Sequence, residues 1–287
     1  MARSVFLSGD KIRPSITDSY NYCEYIVKRS STSFARSFKT LPQNKRNAVN
    51  ALYAFCRRVD DIVDGDWLPL ISNEQELEFK SELKIQELKS FYGMSKEYTD
   101  FDLKKRIKAL LWFRDRLDVL ESDPKSLKDP IFIALADTIQ KFPINLNNLR
   151  ELILGMEEDL FHVGCQTYDE MYSYCRKVAS SVGLCLIEIY GYDGENARKY
   201  AEDMGIFLQM VNILRDIKED YKRGRSYIPL KELNSYGIKF ENLMEVSKEN
   251  PESWKTFISE FLKEIQKFRI SAMKLIPMLS QDSQYSP

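Results

Sequence analysis

Residues 209–229 read QMVNILRDIKEDYKRGRSYIP, and their spacing sets the class of the whole chain. Met210, Ile213, Leu214 and Ile217 recur at helical intervals, which predicts an amphipathic α-helix. Gln209, Asn212, Asp216 and Asp220 form a second stripe, rotated about 105° from the apolar one at about 100° per residue. That stripe flanks the core face rather than opposing it. Asn212, Asp216 and Asp220 stand at successive i+4 steps, a ladder of hard oxygen donors. Carboxylates one turn apart repel each other, and partial burial sharpens the repulsion. An oxygen-preferring cation reverses the sign. Magnesium suits such a ladder, because it takes few carboxylates, keeps several waters and completes its shell with phosphate oxygens. Arg223, Arg225 and Tyr227 follow at once and suit anionic oxygens. The bland alternative is a structural ladder of ion pairs.

A second acidic stretch, RRVDDIVDGD, occupies residues 57–66. On a helix over 44–64, Val49, Leu52, Cys56, Val59 and Val63 form the buried stripe. Tyr53, Arg57, Asp60 and Asp64 lie about 85° from it. Taken alone, the stretch reads equally as a solvated helix end or as half of a cation site. Asp61 is rotated about 100° from Asp60 and is expected either behind the ligands, supporting them, or as an outer ligand. Arg58 is expected to face solvent, and Asp66 to be a turn residue.

The same periodicity runs through the chain. Helices are predicted over 17–29, 31–40, 44–64, 74–92, 101–121, 129–141, 146–162, 168–191, 195–220, 230–234, 240–247 and 252–278. Only 11 glycines and 10 prolines occur, and no run alternates as strands do. The expected fold is all-α, a single domain over 1–287 with frayed ends at 1–15 and 280–287. The charged segment 72–108 reads as a solvated helical face. Net charge is −1 with neither half strongly basic, so nucleic acid is not an implied partner. Five cysteines without a C-x-x-C pair read as reduced thiols in a cytoplasmic protein. The start MARSVFLSGDKIRP has only a three-residue apolar run, so no signal peptide is expected, nor any membrane-spanning helix elsewhere. The one histidine, His162, excludes a multi-histidine metal site and reads as structural.

Taken together, the two acidic stretches resemble the squalene/phytoene synthase family, the head-to-head prenyl synthases. Arg57 with Asp60, Asp61 and Asp64 matches its first acidic motif. Gln209, Asn212, Arg215, Asp216, Glu219 and Asp220 match its Q-x-x-N-x-x-R-D-x-x-E-D motif, and Arg223 to Pro229 its R-G-R-x-Y-x-P continuation. Three further blocks are similar: SSTSFARSF at 30–38 through Ser31, Ser33 and Phe34, GMEEDL at 155–160, and YCRKVASSVG at 174–183. Two positions depart from the pattern. Thr32 replaces a common lysine, and Ser180 replaces a common glycine, so approach there is expected to be less close.

The resemblance implies an isoprenoid-synthase-type helical bundle around a deep apolar cavity. It implies two or three Mg2+ ions on Asp60, Asp64, Asn212, Asp216 and Asp220. Arg57 and Arg225 would stabilise departing diphosphate. Ser31, Ser33, Phe34, Val178 and Gln209 are expected to contact substrate. Tyr53, Tyr174 and Tyr227 read either as donors at the cavity mouth or as core tyrosines. Ala179 and Gly183 either line a prenyl lane or let two helices pack. Phe38, one turn after Phe34, is either ordinary core or a pocket floor that favours C15 over C20 chains. The implied reaction joins two farnesyl diphosphates, through a cyclopropylcarbinyl diphosphate, to dehydrosqualene for C30 carotenoid biosynthesis. The chain is similar to the compact bacterial dehydrosqualene synthases and shows no C-terminal membrane anchor, so no NADPH is expected. The rivals are phytoene synthase on geranylgeranyl diphosphate, NADPH-dependent squalene synthase, a terpene cyclase and a non-catalytic scaffold of the family. An insoluble product is compatible with transient membrane-surface contact. Oligomeric state stays open.

Overall fold

Polar side chains open many of the helices. Ser15, Asp129, Asn145, Thr167 and Asn250 each accept a hydrogen bond from a first-turn backbone N–H, and such a cap stabilises a helix by about 1 kcal/mol. A computed structural model describes residues 13–71, 74–92, 100–161 and 164–286. In chain order the helices are α1 (Ile16–Ser30), α2 (Thr32–Ser37), α3 (Gln43–Asp64), α4 (Glu74–Tyr92), α5 (Asp100–Ser122), α6 (Pro130–Lys141) and α7 (Leu146–Asp159). Then come α8 (Tyr168–Cys175), α9 (Ser181–Tyr190), α10 (Ala197–Lys222), α11 (Leu230–Ser235), α12 (Leu243–Glu249) and α13 (Pro251–Ala272). Among the described residues no β-strand occurs, only an isolated bridge between Tyr192 and Leu279. The all-α expectation holds. No described helix is long and apolar enough to cross a membrane. His162 lies outside the described residues.

Two clusters of buried apolar side chains organise these helices. In the first, Phe55, Phe113 and Phe132 from α3, α5 and α6 pack at centroid separations of 5.3 to 5.9 Å, within the range of favourable ring pairs. In the second, Met210 and Ile213 of α10 pack with Phe257 and Phe261 of α13 and Met171 of α8. The charged segment on α4 and α5 does face water. Lys104 pairs with Glu78 and Glu82, and Lys108 with Glu78.

The predicted helix 168–191 is not uniform. Between α8 and α9 the residues Arg176–Ser180 form a π-helical turn. This turn packs closely on α10. A Cβ on Gly205 of α10 would sit 2.4 Å from Ser180 Cα, so the two backbones nearly touch. The Ser180 hydroxyl donates to the Glu202 carbonyl at 2.7 Å. Ser180 was expected to hold its neighbour away, and Gly205 supplies the space instead. Gly183 likewise faces the Ala201 carbonyl, which a Cβ would meet at 3.1 Å. This supports the helix-packing alternative for that glycine.

The tail was expected to fray from 280, and it is docked. Ser280 N–H donates to the Gly191 carbonyl at 2.9 Å. Lys45 Nζ bonds the Tyr190 carbonyl and Asp282, both at 2.7 Å. Ser283 and Ser286 are buried. The apolar periodicity of α13 stops at Ala272, ahead of a 3-10 turn at Ile276–Met278 whose Pro277 has no N–H to continue a helix.

Candidate active site

A cavity of about 430 Å3 opens where the two clusters meet. From α3 it is lined by Arg57, Asp60, Val63 and Asp64, and from α7 by Met156 and Asp159. Tyr174 and Val178 come from α8 and the π turn. Gln209, Asn212, Ile213, Arg215, Asp216 and Asp220 come from α10, and Arg223, Arg225 and Tyr227 from the segment after it. Both acidic stripes therefore face one space. Their edge-of-core position on the helical wheel is what allows this: each helix buries its apolar stripe and leaves its oxygens at the rim.

The electrostatics are unbalanced at two aspartates. Burial, then the neighbouring Asp64 charge, pushes Asp60 up to about 6, against the pull of Arg57. Burial also pushes Asp220 up to about 6, with Arg225 opposing and Asp216 adding to the rise. Asp60, Asp64 and Asp216 each carry a close cation, Arg57 Nη1 lying 3.1 Å from Asp60 Oδ2. Arg215 forks onto its neighbour Asp216, with Nε to Oδ1 at 2.7 Å. Arg223 Nη1 lies 3.1 Å from Asp64 Oδ1.

Several expectations change around α3. Asp61 does not line the cavity. It is buried and takes Arg57 Nη2 at 2.7 Å and Arg58 Nη1 at 2.8 Å, so it supports the site from behind by anchoring Arg57, the first of its two expected places. Arg58 does not face solvent. Its guanidinium stacks over Trp67 at 4.7 Å, held by Asp61. Gly65, in the left-handed region at φ +83°, ends the helix and turns the chain so that Trp67 can reach back. Tyr53 and Phe38 are likewise absent from the described lining. Tyr53 lies one turn before Arg57, and its ring packs edge-on against buried Phe38 at 6.2 Å. Ser31 ends α1 in extended backbone, half-buried and outside the lining. The side chains of Ser33 and Phe34 lie outside the described residues.

The residue that sequence reasoning missed is Asp159. It was visible as the fixed acid of the G-M-x-x-D-[LM] block that GMEEDL resembles, but drew no role. Packing separates the three acids of that block. Glu157 is fully buried against Arg114 at 3.0 Å and Lys84 at 3.6 Å. Glu158 takes Lys177 of the π turn with both oxygens at 2.6 Å. Asp159 faces the cavity, accepts the Tyr227 hydroxyl, and pairs with Arg225 at 3.2 Å. Tyr174 stacks on Tyr227 at 4.7 Å. Burial and the Asp159 charge hold both phenols well above their ordinary range, so both remain hydrogen-bond donors. Gly155 permits this wall: a Cβ there would meet Val178 Cγ1 at 2.8 Å.

The donors suit an oxygen-loving cation. No histidine or cysteine lines the cavity among the described residues. Among the described residues no three histidine, cysteine or carboxylate side chains gather as a preformed metal site.

Known proteins share this architecture. A crystal structure of a dehydrosqualene synthase superposes with a TM-score of 0.73 at 25% identity, covering 93% of this chain and 80% of that one. Squalene synthase HpnC from Alicyclobacillus acidocaldarius has the same fold, with a TM-score of 0.74 at 18% identity over 94% of this chain and 88% of its own. A phytoene synthase from Mycobacterium bovis is 32% identical over 224 residues, 78% of this chain but only 62% of the relative. The model of the squalene/phytoene synthase family matches residues 27–286. The chain belongs to the squalene/phytoene synthase family.

Proposed function

We propose that this cavity joins two prenyl diphosphates head to head, with divalent magnesium held by Asp60, Asp64, Asn212, Asp216 and Asp220. The observation that carries the reading is that the aspartate pairs of α3 and α10 line one space. Bound magnesium would supply Lewis-acid stabilisation of the departing diphosphate.

The chain's own residues do the rest. Arg57 and Arg225 offer fixed guanidinium groups to diphosphate oxygens. One substrate loses its C1–O bond, and the electron pair leaves with diphosphate. The allylic cation is attacked by the double bond of the second substrate, and loss of a proton closes a cyclopropane. Departure of the second diphosphate and ring rearrangement form the central bond, and a further proton is lost to give a triene. The stacked faces of Tyr174 and Tyr227 favour positive charge at that position. Val63, Met156, Val178 and Ile213 exclude water from the cation.

The C15 reading, two farnesyl diphosphates giving dehydrosqualene, is supported by the likeness to a dehydrosqualene synthase structure; Phe38, packed in the core on Tyr53 outside the described lining, is its candidate length determinant. A Phe38→Ala variant is expected to gain use of geranylgeranyl diphosphate; one that still refuses it removes Phe38 as the length determinant. The second reading, geranylgeranyl diphosphate giving phytoene, is favoured by the likeness to the mycobacterial phytoene synthase.

Incubation with magnesium and each diphosphate, with and without NADPH, followed by product mass analysis, separates these. A C30 triene formed without NADPH supports the first reading. A C40 product supports the second, and NADPH-dependent squalene would replace both. No condensed product under any condition overturns the proposal.

A further inference from the structure

Among the four arginines that line the cavity, Arg223 stands apart. It caps the C-terminal end of α10, its side chain is 54% exposed, and it reaches across to Asp64 at the end of α3. Arg225, two residues on, is only 8% exposed. It sits 3.2 Å from Asp159 and 3.9 Å from the same Asp64 oxygen. Gly224, at φ +66°, turns the chain between them in open space. The turn sends one guanidinium into the protein and leaves the other at the rim.

The two arginines consequently differ in how firmly they are held. A buried charge pair such as Arg225 with Asp159 is costly to break, because each partner would be left uncompensated. A half-exposed pair is held weakly and is screened by salt. A divalent cation at the Asp64 carboxylate brings twice the charge of a guanidinium to the same oxygen. Asp64 also stands one turn from Asp60, and the two like charges repel each other.

We propose that Arg223 is a displaceable counter-ion. It occupies Asp64 while no divalent cation is bound, and gives up that oxygen when one arrives. The ion pair between α3 and α10 then opens as the site loads. This inference rests on the reading of Asp64 as a cation ligand. It carries an unusual sign, since removing a residue from the site should strengthen cation binding.

The test is Mn2+ binding to the full chain, followed by the electron paramagnetic resonance of free Mn2+ at fixed ionic strength. Wild type, Arg223→Gln, Asp64→Asn and the double variant are compared. Arg223→Gln should bind Mn2+ about 1.5- to 5-fold more tightly, the range set by a part-exposed ion pair. The gain should vanish when residue 64 is asparagine. Unchanged or weaker binding in Arg223→Gln overturns the inference. So does an equal gain in the Asp64→Asn background, which would be a general charge effect. If wild type binds no Mn2+, with or without inorganic diphosphate, the metal reading of the site falls together with the inference. Binding in wild type without the gain removes the inference alone.

Discussion

At the end of α3, Arg57 and Arg58 of the same helix converge on buried Asp61, while Asp64 is met from across the cavity by Arg223. At the end of α10, Asp216 is held by its own neighbour Arg215. There Asp220 gives its backbone carbonyl, at 3.1 and 2.8 Å, to the N–H groups of Arg223 and Arg225. The α10 motif thus fixes its own continuation through backbone hydrogen bonds. In the α3 motif Asp60 pairs within its helix, while Asp64 is met by a residue that follows α10. Two stretches of similar composition are therefore not equivalent: one is bonded within its own segment, and the other is also met from across the cavity.

The sharpest way to break this comparison is to neutralise one carboxylate on each side. Under the proposed function, Asp60→Asn and Asp216→Asn should each lower kcat/KM by roughly a thousandfold, the scale of losing a preorganised charge at the departing group. Steady-state assay with the preferred prenyl diphosphate checks this. A large loss for Asp216→Asn with none for Asp60→Asn would leave the α3 end a purely structural element.

Stability should divide the arginines in another way. Arg225→Met strands Asp159 in the protein, and the cost should be about 3–5 kcal/mol in urea unfolding. Adding Asp159→Asn should recover most of it. Arg215→Gln, at a fork 66% exposed, should change stability by less than about 1 kcal/mol. Equal costs would contradict the distinction between buried and rim guanidinium groups.

A smaller effect follows from the titrations. Asp60 and Asp220 titrate near 6 when folded, against an ordinary 3.8. Between about 4 and 6 the folded chain therefore holds more protons than the unfolded one. Their contribution favours the fold below that window and is lost as pH rises through it. In metal-free protein, Asp60→Asn and Asp220→Asn should gain stability relative to wild type as pH climbs from about 4 to about 7. Thermal unfolding across that range measures the gap. A gap that stays constant or closes would show that these carboxylates are well compensated.

Much of this was legible in the sequence, for identifiable reasons. Both acidic stripes could be placed beside the core because helical period fixes direction. Asp216 was the stronger signal, since its ladder and the arginines after it are continuous in the chain. Asp159 stood out in the sequence as the fixed acid of the GMEEDL block, but its role was not legible, because the partners that distinguish it from Glu157 and Glu158 lie on α4, α5, the π turn and the 225–227 segment. The place expected for Arg58 failed for a related reason. The wheel gives an angle, but it does not reveal that Gly65 folds Trp67 back over that face. The π turn and the docked tail depend on Gly205 and Lys45, residues distant in sequence from the segments they shape.

The account's central claim is that one cation site is shared between two helices. Its most direct test is Mn2+ binding in the presence of inorganic diphosphate, by electron paramagnetic resonance, for wild type, Asp60→Asn and Asp216→Asn. The account predicts that wild type binds and that each substitution alone weakens binding by at least about tenfold, the order expected when a charged ligand is lost. Wild-type affinity retained in either variant would contradict a shared site.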